Sequence, residues 1–439
     1  MNQYGRMRTR RLPPEDDVCG WSALLPPPPP PRRLHGAVRA DCAVIGAGFT
    51  GLAAARRLAE LRSDWRIAVV DAWRVGGGAS GRNSGFVVDL PHYIPARGVD
   101  GNQRLLRLGR AGLAHLREQV RRYAIDCDWT EQGRFHGAAG NEGVRALEAF
   151  FAGADALGER YERLAGATLA RLIGTTYYCA GGRTPGSAMV QPAALARGLA
   201  RSLPENVDLF ECSPIRAIDT GAEFMLRADG GTLSADKLFV ASNGFTPALG
   251  LLRDRLFPLV TFASLTRPLT SSEAAALGGE PVWGLVSEVA MGTTLRRLAD
   301  GRMLLRNTVR YRPSLRVDAE LQRRIRALHR RHFTDRFPAL EGIDFDYTWG
   351  GVMGVSLNGA QFFGELTPNL FVAAGYNGVG IAMGTISGVL LAERAVGAPS
   401  ALLADMQALP PPDWIPPAPA LGIGIRTTLR YLSRKAAGE

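Results

Sequence analysis

One hexapeptide constrains this chain more than any other feature: Gly46-Ala47-Gly48-Phe49-Thr50-Gly51. It follows an apolar run, Cys42-Ala43-Val44-Ile45, and opens a stretch, Leu52 to Ala59, whose alanine, leucine and arginine suit a helix. A second apolar run, Ile67-Ala68-Val69-Val70, ends at Asp71, twenty residues after Gly51. Strand, tight turn, helix, strand and acid in that order make a dinucleotide-binding βαβ unit. Gly46 allows the sharp turn, Gly48 lets the backbone approach a pyrophosphate, and Gly51 brings helix and strand together. The helix N-terminus, with its unpaired N–H groups and positive dipole end, receives the phosphates. Asp71 stands where a ribose-binding carboxylate belongs.

The rest of the composition narrows the setting. A chain of 439 residues is long enough for two or three domains and a sizeable core. No apolar run approaches the length of a transmembrane helix. Met1 to Leu12 is basic but leads into proline and acid, unlike a secretory signal. The five cysteines, Cys19, Cys42, Cys127, Cys179 and Cys212, are odd in number and none are spaced as a metal or redox pair. Reduced thiols in a cytoplasmic protein, with no metal site, are expected. The formal net charge is +11, yet only Lys237 and Lys435 are lysines among 52 cationic residues. Arginine is spread along the chain rather than clustered with aromatics, which argues against nucleic acid and leaves acidic substrates open. A catalytic lysine is almost ruled out.

Residues 1–39 form a proline-rich arm. Trp21, Leu24 and Leu25 make it apolar enough to dock on the body. After the βαβ unit comes a glycine-rich segment, Gly76 to Phe86. Strand signals recur at 237–242 and 369–374, the second ending in Gly375-Tyr376-Asn377-Gly378-Val379-Gly380. The fold class is therefore α/β, with a Rossmann-type domain assembled from distant segments, 40–92, 190–249 and 345–400. The blocks 93–189 and 250–344 make a second domain, and 401–439 a C-terminal arm. Within that arm Ile425, Leu429 and Leu432 share one helical face and Arg426, Arg430 and Arg434 another. Such a helix over 421–435 suits either the enzyme body or an anionic membrane surface.

The βαβ unit, the run Gly78-Ala79-Ser80-Gly81-Arg82-Asn83-Ser84-Gly85 and the closing Gly375–Gly380 turn resemble the D-amino-acid oxidase/glycine oxidase superfamily of FAD enzymes. Ile125-Asp126-Cys127-Asp128, Tyr347-Thr348-Trp349-Gly350-Gly351 and the proline-rich arm resemble its gamma-glutamylputrescine oxidase-like branch. The resemblance implies an α+β substrate domain with a large mixed or antiparallel sheet, and FAD as cofactor. It places Gly46, Gly48, Phe49, Thr50 and Gly51 at the pyrophosphate, and Asp71 and Ala72 at the adenosine ribose. Asp71 is one methylene shorter than the glutamate usual there. Gly78, Ala79, Ser80, Arg82, Asn83, Ser84 and Gly85 would run beneath pyrophosphate and flavin, and Ile215 would offer backbone to adenine. Asn377, Gly378, Val379 and Gly380 would meet the flavin's pyrimidine edge. There, N–H groups stabilise the negative charge that develops on reduction. No cysteine lies in 345–385 and position 83 is asparagine, so non-covalent FAD is expected. Some relatives use a lysine over the flavin to activate oxygen; Met303-Leu304-Leu305-Arg306-Asn307-Thr308 has none. A dehydrogenase serving another acceptor therefore stands beside an oxidase using O2.

The expected reaction is oxidation of a C–N bond of a small amine or amino acid, the imine hydrolysing to a carbonyl compound. Burial in an apolar pocket favours the neutral amine, so no dedicated base is required. His92, next to Tyr93, follows the flavin loop and is a candidate to face the ring. Arg306, Thr308, Arg310 and Arg312 alternate along a probable strand, which puts them on one face as a carboxylate clamp or a solvated surface. Tyr376 is a candidate to touch flavin and substrate, and Trp349 and Met353 to line the pocket or the core. An NAD(P)-dependent dehydrogenase or a non-catalytic flavoprotein are the alternatives; the second glycine motif favours the flavin enzyme. The sequence names neither amine, acceptor nor oligomeric state.

Overall fold

Strand Gly36–Ile45 runs into the glycine turn, helix Phe49–Leu61 begins after Gly48, and strand Ile67–Val70 lies parallel to the first, Ile45 opposite Val70. The structure, a computed structural model, describes residues 5–13, 18–90, 95–398 and 400–439. Two glycines have no substitute. Gly46 sits at φ +108°, and a Cβ on Gly51 would lie 1.8 Å from the Gly46 carbonyl oxygen.

Strand Gly231–Val240 is the axis of a nine-stranded sheet. One edge pairs in parallel with Gly36–Ile45 along its whole length. The other edge is shared. Its first half takes strand Phe224–Arg227, antiparallel, and its last three residues take Leu370–Ala374, parallel. The parallel strands thus end together at Ile45, Val70, Val240 and Ala374. A crevice outside such carboxyl ends is where an α/β sheet binds ligands. Helices Phe49–Leu61 and Ala382–Val396 pack on one face, with Phe49, Leu52, Leu391 and Phe371 in a single buried cluster.

The second sheet has eight strands in the order Phe345–Val355, Phe257–Thr266, Met303–Arg310, Thr294–Arg297, Trp283–Ser287, Arg134–Ala138, Ala180–Thr184, Glu162–Ala165. Among the described residues of this sheet, only Trp283–Ser287 and Arg134–Ala138 pair in parallel. The expected segment boundaries shift in two places. Strand Phe345–Val355, grouped above with the nucleotide domain, belongs to this second sheet as the antiparallel partner of Phe257–Thr266. Helix Gly98–Arg122, grouped with the substrate domain, packs Leu105 and Leu108 against Met383, Ile386 and Leu390 of the nucleotide half. Both follow from pairing between residues far apart in sequence, which local pattern does not report.

The N-terminal arm is docked. Trp21 is buried, meets Trp349 edge-on at 6.3 Å, and donates its indole N–H to the Asn83 carbonyl. Earlier, Arg6–Arg8 adds an outer strand to Ala217–Thr220. Helix Ala420–Lys435 packs Leu421, Ile425 and Leu429 against Phe257, Leu259 and Val309. Leu421, Ile425 and Leu429 are thereby covered by the body of the protein, while Ile423 and Tyr431 of the same helix stay exposed.

Candidate active site

A cavity of about 720 Å³ lies between the two sheets, and a smaller one of about 120 Å³ adjoins it. They share Gly48, Ala79, Ser80, Ala241 and Asn243 as lining, so the two form one elongated crevice. The smaller end is walled by Asp71, Ala72, Gly78 and Ile215. The larger end is walled by Phe49, Thr50, Arg82, Asn83 and Ser84 and by the Gly378-Val379-Gly380 turn.

Backbone builds the first half. Helix Phe49–Leu61 has no side-chain N-cap, so its first N–H groups face the crevice apart from Phe49 N–H, which donates to Ser80 Oγ at 3.0 Å. Gly48 is close to Ser80 as well: an added Cβ would stand 2.7 Å from Ser80 Oγ. Asp71 accepts from Ala47 N–H at 2.6 Å and from Trp73 N–H at 2.8 Å. Its carboxylate thus ties the glycine turn to the end of the second strand, and burial pushes its pKa up to about 6 against these bonds. Asn83 folds the loop upon itself, donating to Ala79 and Ser80 carbonyls and accepting from Gly85 N–H. Arg82 donates to the carbonyls of Gly77 and, across the domain boundary, Gly350. Arg296, buried behind the loop, donates to the Ser84 and Val190 carbonyls. Gly51 and Gly85 do not line the crevice. They permit close packing behind it, Gly85 at φ +78° against the Val190 carbonyl.

Side chains on the second sheet build the other half. Cross-strand neighbours point to the same side of a sheet. One row reads Trp349, Ala263, Arg306, Thr294, Val286, His136. Arg306, Thr294 and Val286 line the cavity, joined by Thr261, Phe86, Leu90, Phe150 and Met353. The Arg306 guanidinium makes no hydrogen bond or ion pair with any described residue, and burial lowers its proton affinity. At the other end of the row His136 Nδ1 lies 2.7 Å from Glu288 Oε1, and Glu288 lines the cavity. Strand spacing separates the Arg306 and Trp283–Ser287 strands by roughly 10 Å.

Several sequence expectations are corrected by this geometry. Arg310 does not share a face with Arg306. Thr308 sits at φ +61° in a bulge where Thr261 pairs with Val309 and Phe262 with Asn307. The extra residue reverses the alternation, so Val309 follows Arg306 and Arg310 turns outward to an exposed position. Trp349 does not reach the cavity; it is buried and donates its indole N–H to the Arg82 carbonyl at 3.1 Å. Asn377, at φ +51°, also stays out of the wall. Its amide donates to the Gly375 carbonyl and accepts from Ser356 N–H, which fixes the turn. Tyr376 lines the cavity, but its hydroxyl is bonded to Thr50 Oγ1 at 2.8 Å, locking the closing turn to the dinucleotide helix. Burial raises its pKa further. His92 lies outside the described residues. Thr261, Glu288, Arg134 and four residues of the arm, Thr9, Arg11, Leu12 and Pro13, line the crevice unanticipated, because each is an isolated residue type without a motif.

A crevice at the strand ends, an uncapped helix start, a second glycine turn at the far end and a side-chain-walled chamber define a flavin-dinucleotide oxidoreductase. The chain belongs to the DAO family of FAD-dependent oxidoreductases, whose family model matches residues 41–394. The gamma-glutamylputrescine oxidoreductase of Escherichia coli K12 is 28% identical over 378 residues, 83% of this chain and 85% of that protein. A probable oxidoreductase, OrdL, of Haemophilus influenzae is 27% identical over 373 residues, 82% of this chain and 83% of its own length. Glycine oxidase from Geobacillus kaustophilus has the same fold, with a TM-score of 0.69 at 22% identity over 83% of this chain and 96% of that one.

Proposed function

We propose that this FAD enzyme oxidises the C–N bond of an amine or amino acid that carries a carboxylate, and that Arg306 grips the carboxylate. The observation that carries this reading is the Arg306 guanidinium, which faces the cavity without a partner among the described residues. A buried guanidinium fork is suited to a bidentate carboxylate. The relatives support the amine: one is named for gamma-glutamylputrescine and a structural neighbour is a glycine oxidase. Bound FAD supplies the two-electron acceptor for this chemistry.

The chain's own residues do the rest. Phe86, Val88, Leu90, Phe150 and Met353 give the chamber that Arg306 lines a largely apolar wall. That environment disfavours an alkylammonium, whose pKa in water is about 10.4, and yields the neutral amine that can give up a hydride. The Gly378–Gly380 turn offers backbone dipoles to developing negative charge. The imine takes up water, its C–N bond breaks, and a carbonyl compound leaves together with ammonia or an amine.

No lysine lines the cavity: Lys237 Nζ bonds Asn369 Oδ1 at 2.7 Å and Lys435 pairs with Glu142. This supports an electron acceptor other than O2. No cysteine lines the crevice either, which supports non-covalent FAD, and the lack of any disulfide among the five described cysteines supports a reducing, cytoplasmic setting. The coverage of Leu421, Ile425 and Leu429 supports docking on the body over docking on a membrane.

The test is anaerobic mixing with pairs of amines that differ only in a carboxylate, following loss of the visible flavin absorbance. Bleaching by the carboxylate-bearing member of a pair supports the reading. Equal bleaching by both members, or by neither across the amine classes, overturns it. A peroxide assay in air on the bleaching substrate decides the acceptor.

A further inference from the structure

The N-terminal segment 5–13 lies against the end of the crevice lined by Asp71, Ala72 and Ile215, which the resemblance assigns to adenosine. Its strand Arg6–Arg8 pairs with Ala217–Thr220, and Met7 is buried with Leu34, Ile215, Ile218 and Leu249. The next residues fasten to three separate elements. Thr9 N–H donates to the Arg216 carbonyl at 2.9 Å, and Thr9 Oγ1 to the Ile215 carbonyl. Arg10 N–H donates to the Ala248 carbonyl at 2.9 Å, on the turn Asn243–Leu249. The Arg11 guanidinium donates to the Pro313 carbonyl, in the loop after strand Met303–Arg310 of the second sheet. Thr9, Arg11, Leu12 and Pro13 consequently line the same cavity as Asp71, Trp73 and Ile215.

We infer that residues 5–13 are a strap that closes the adenosine half of the FAD site and governs how tightly the whole dinucleotide is held. Half-buried Leu12 and Pro13 give an apolar lid over a pocket whose floor is the Gly46 turn. The strap is pinned to both sheets, so cofactor entry and exit at this end require it to lift. Its contribution is selective: it acts on the adenylate portion of FAD and leaves the flavin chamber, which it does not line, unchanged.

The test uses the full chain as apoprotein, with FAD and FMN as probes, since FMN lacks the adenylate half. Two variants are read. Met7→Asp places a charge in the cluster that anchors the strap; Leu12→Ala with Pro13→Ala thins the lid without touching the anchor. The loss of apolar burial is expected to weaken FAD binding about tenfold or more in M7D and about threefold to tenfold in L12A/P13A. FMN affinity stays within about twofold of the parent, as contacts confined to the adenylate end require. Flavin fluorescence titration and the rate of FAD release on dilution give both numbers. Equal weakening of FAD and FMN overturns the inference, because it makes the segment a general structural support. Unchanged FAD binding in L12A/P13A overturns it too, and that variant decides if M7D does not fold.

Discussion

The two halves of the crevice are made in different ways. The cofactor half is walled mainly by the backbone of three short glycine motifs, at 46–50, 78–84 and 378–380, each a local turn whose shape its own residues dictate. The substrate half is walled by side chains drawn one or two at a time from the eight-stranded sheet, such as Thr261, Arg306, Thr294 and Val286. Backbone recognition tolerates little variation, because a Cβ in the wrong place meets a carbonyl. Side-chain recognition can be rewritten one residue per strand without disturbing the pairing. One superfamily fold can therefore keep a cofactor and change its amine.

The comparison breaks most readily at Gly51. A methyl there would stand 1.8 Å from the Gly46 oxygen, so Gly51→Ala must displace either the turn or the helix. The expected cost exceeds about 4 kcal/mol, and purified protein should contain no FAD. Chemical denaturation and the ratio of visible to ultraviolet absorbance measure both. Arg306→Ala tests the opposite half. Losing a desolvated charge pair with substrate costs about 2–4 kcal/mol, on the order of 10²-fold in KM, while FAD content stays at parent level. A comparable loss of FAD in this variant would erase the distinction between the halves.

The halves also differ in their response to acid. Ser264 Oγ bonds His329 Nδ1 at 2.8 Å beneath the second sheet, and burial pushes the imidazole pKa from 6.5 down to about 3. Between those values the unfolded chain binds the proton and the folded one does not, so stability falls as pH drops from 6.5. The slope is at most about 1.4 kcal/mol per pH unit. Asp71 in the cofactor half has the opposite sign: folded, it holds its proton up to about 6, against 3.8 ordinarily, and gains stability as pH falls through that window. Melting temperature against pH should be less steep below 6.5 in His329→Gln than in the parent.

What could be read from sequence follows the same division. Gly46, Gly48, Ser80 and Gly378 announce themselves because a tight turn with a close backbone approach demands glycine or a small residue at a fixed offset. Trp349 stands in the sequence as part of the Tyr347–Gly351 run and as a candidate for pocket or core, and nothing local says that its indole N–H supports the Arg82 carbonyl. Removing that bond in Trp349→Phe should cost about 1 kcal/mol and lower FAD affinity by a few-fold without changing KM. Glu288 and His136 meet across a parallel strand pair whose partners lie some 150 residues apart (|i−j| = 152). The strap hides for another reason: Arg6-Met7-Arg8 reads as polar chain, with a single buried residue to betray it.

Arg310 sharpens the point with the smallest effect. By alternation it pairs with Arg306 as the second prong of a clamp, and a clamp predicts that either alanine variant weakens a carboxylate substrate strongly. The bulge at Thr308 moves it to the opposite face, where it is exposed and its guanidinium bonds the Val309 carbonyl. Arg310→Ala should therefore change KM by less than about twofold and stability by less than about 0.5 kcal/mol, as an exposed surface substitution does. The bulge itself has no sequence signature, since a β-branched threonine is among the residues least suited to positive φ. A KM rise in R310A approaching that of R306A would mean that the strand continues unbroken through Thr308, and that the substrate half is built from a regular strand after all.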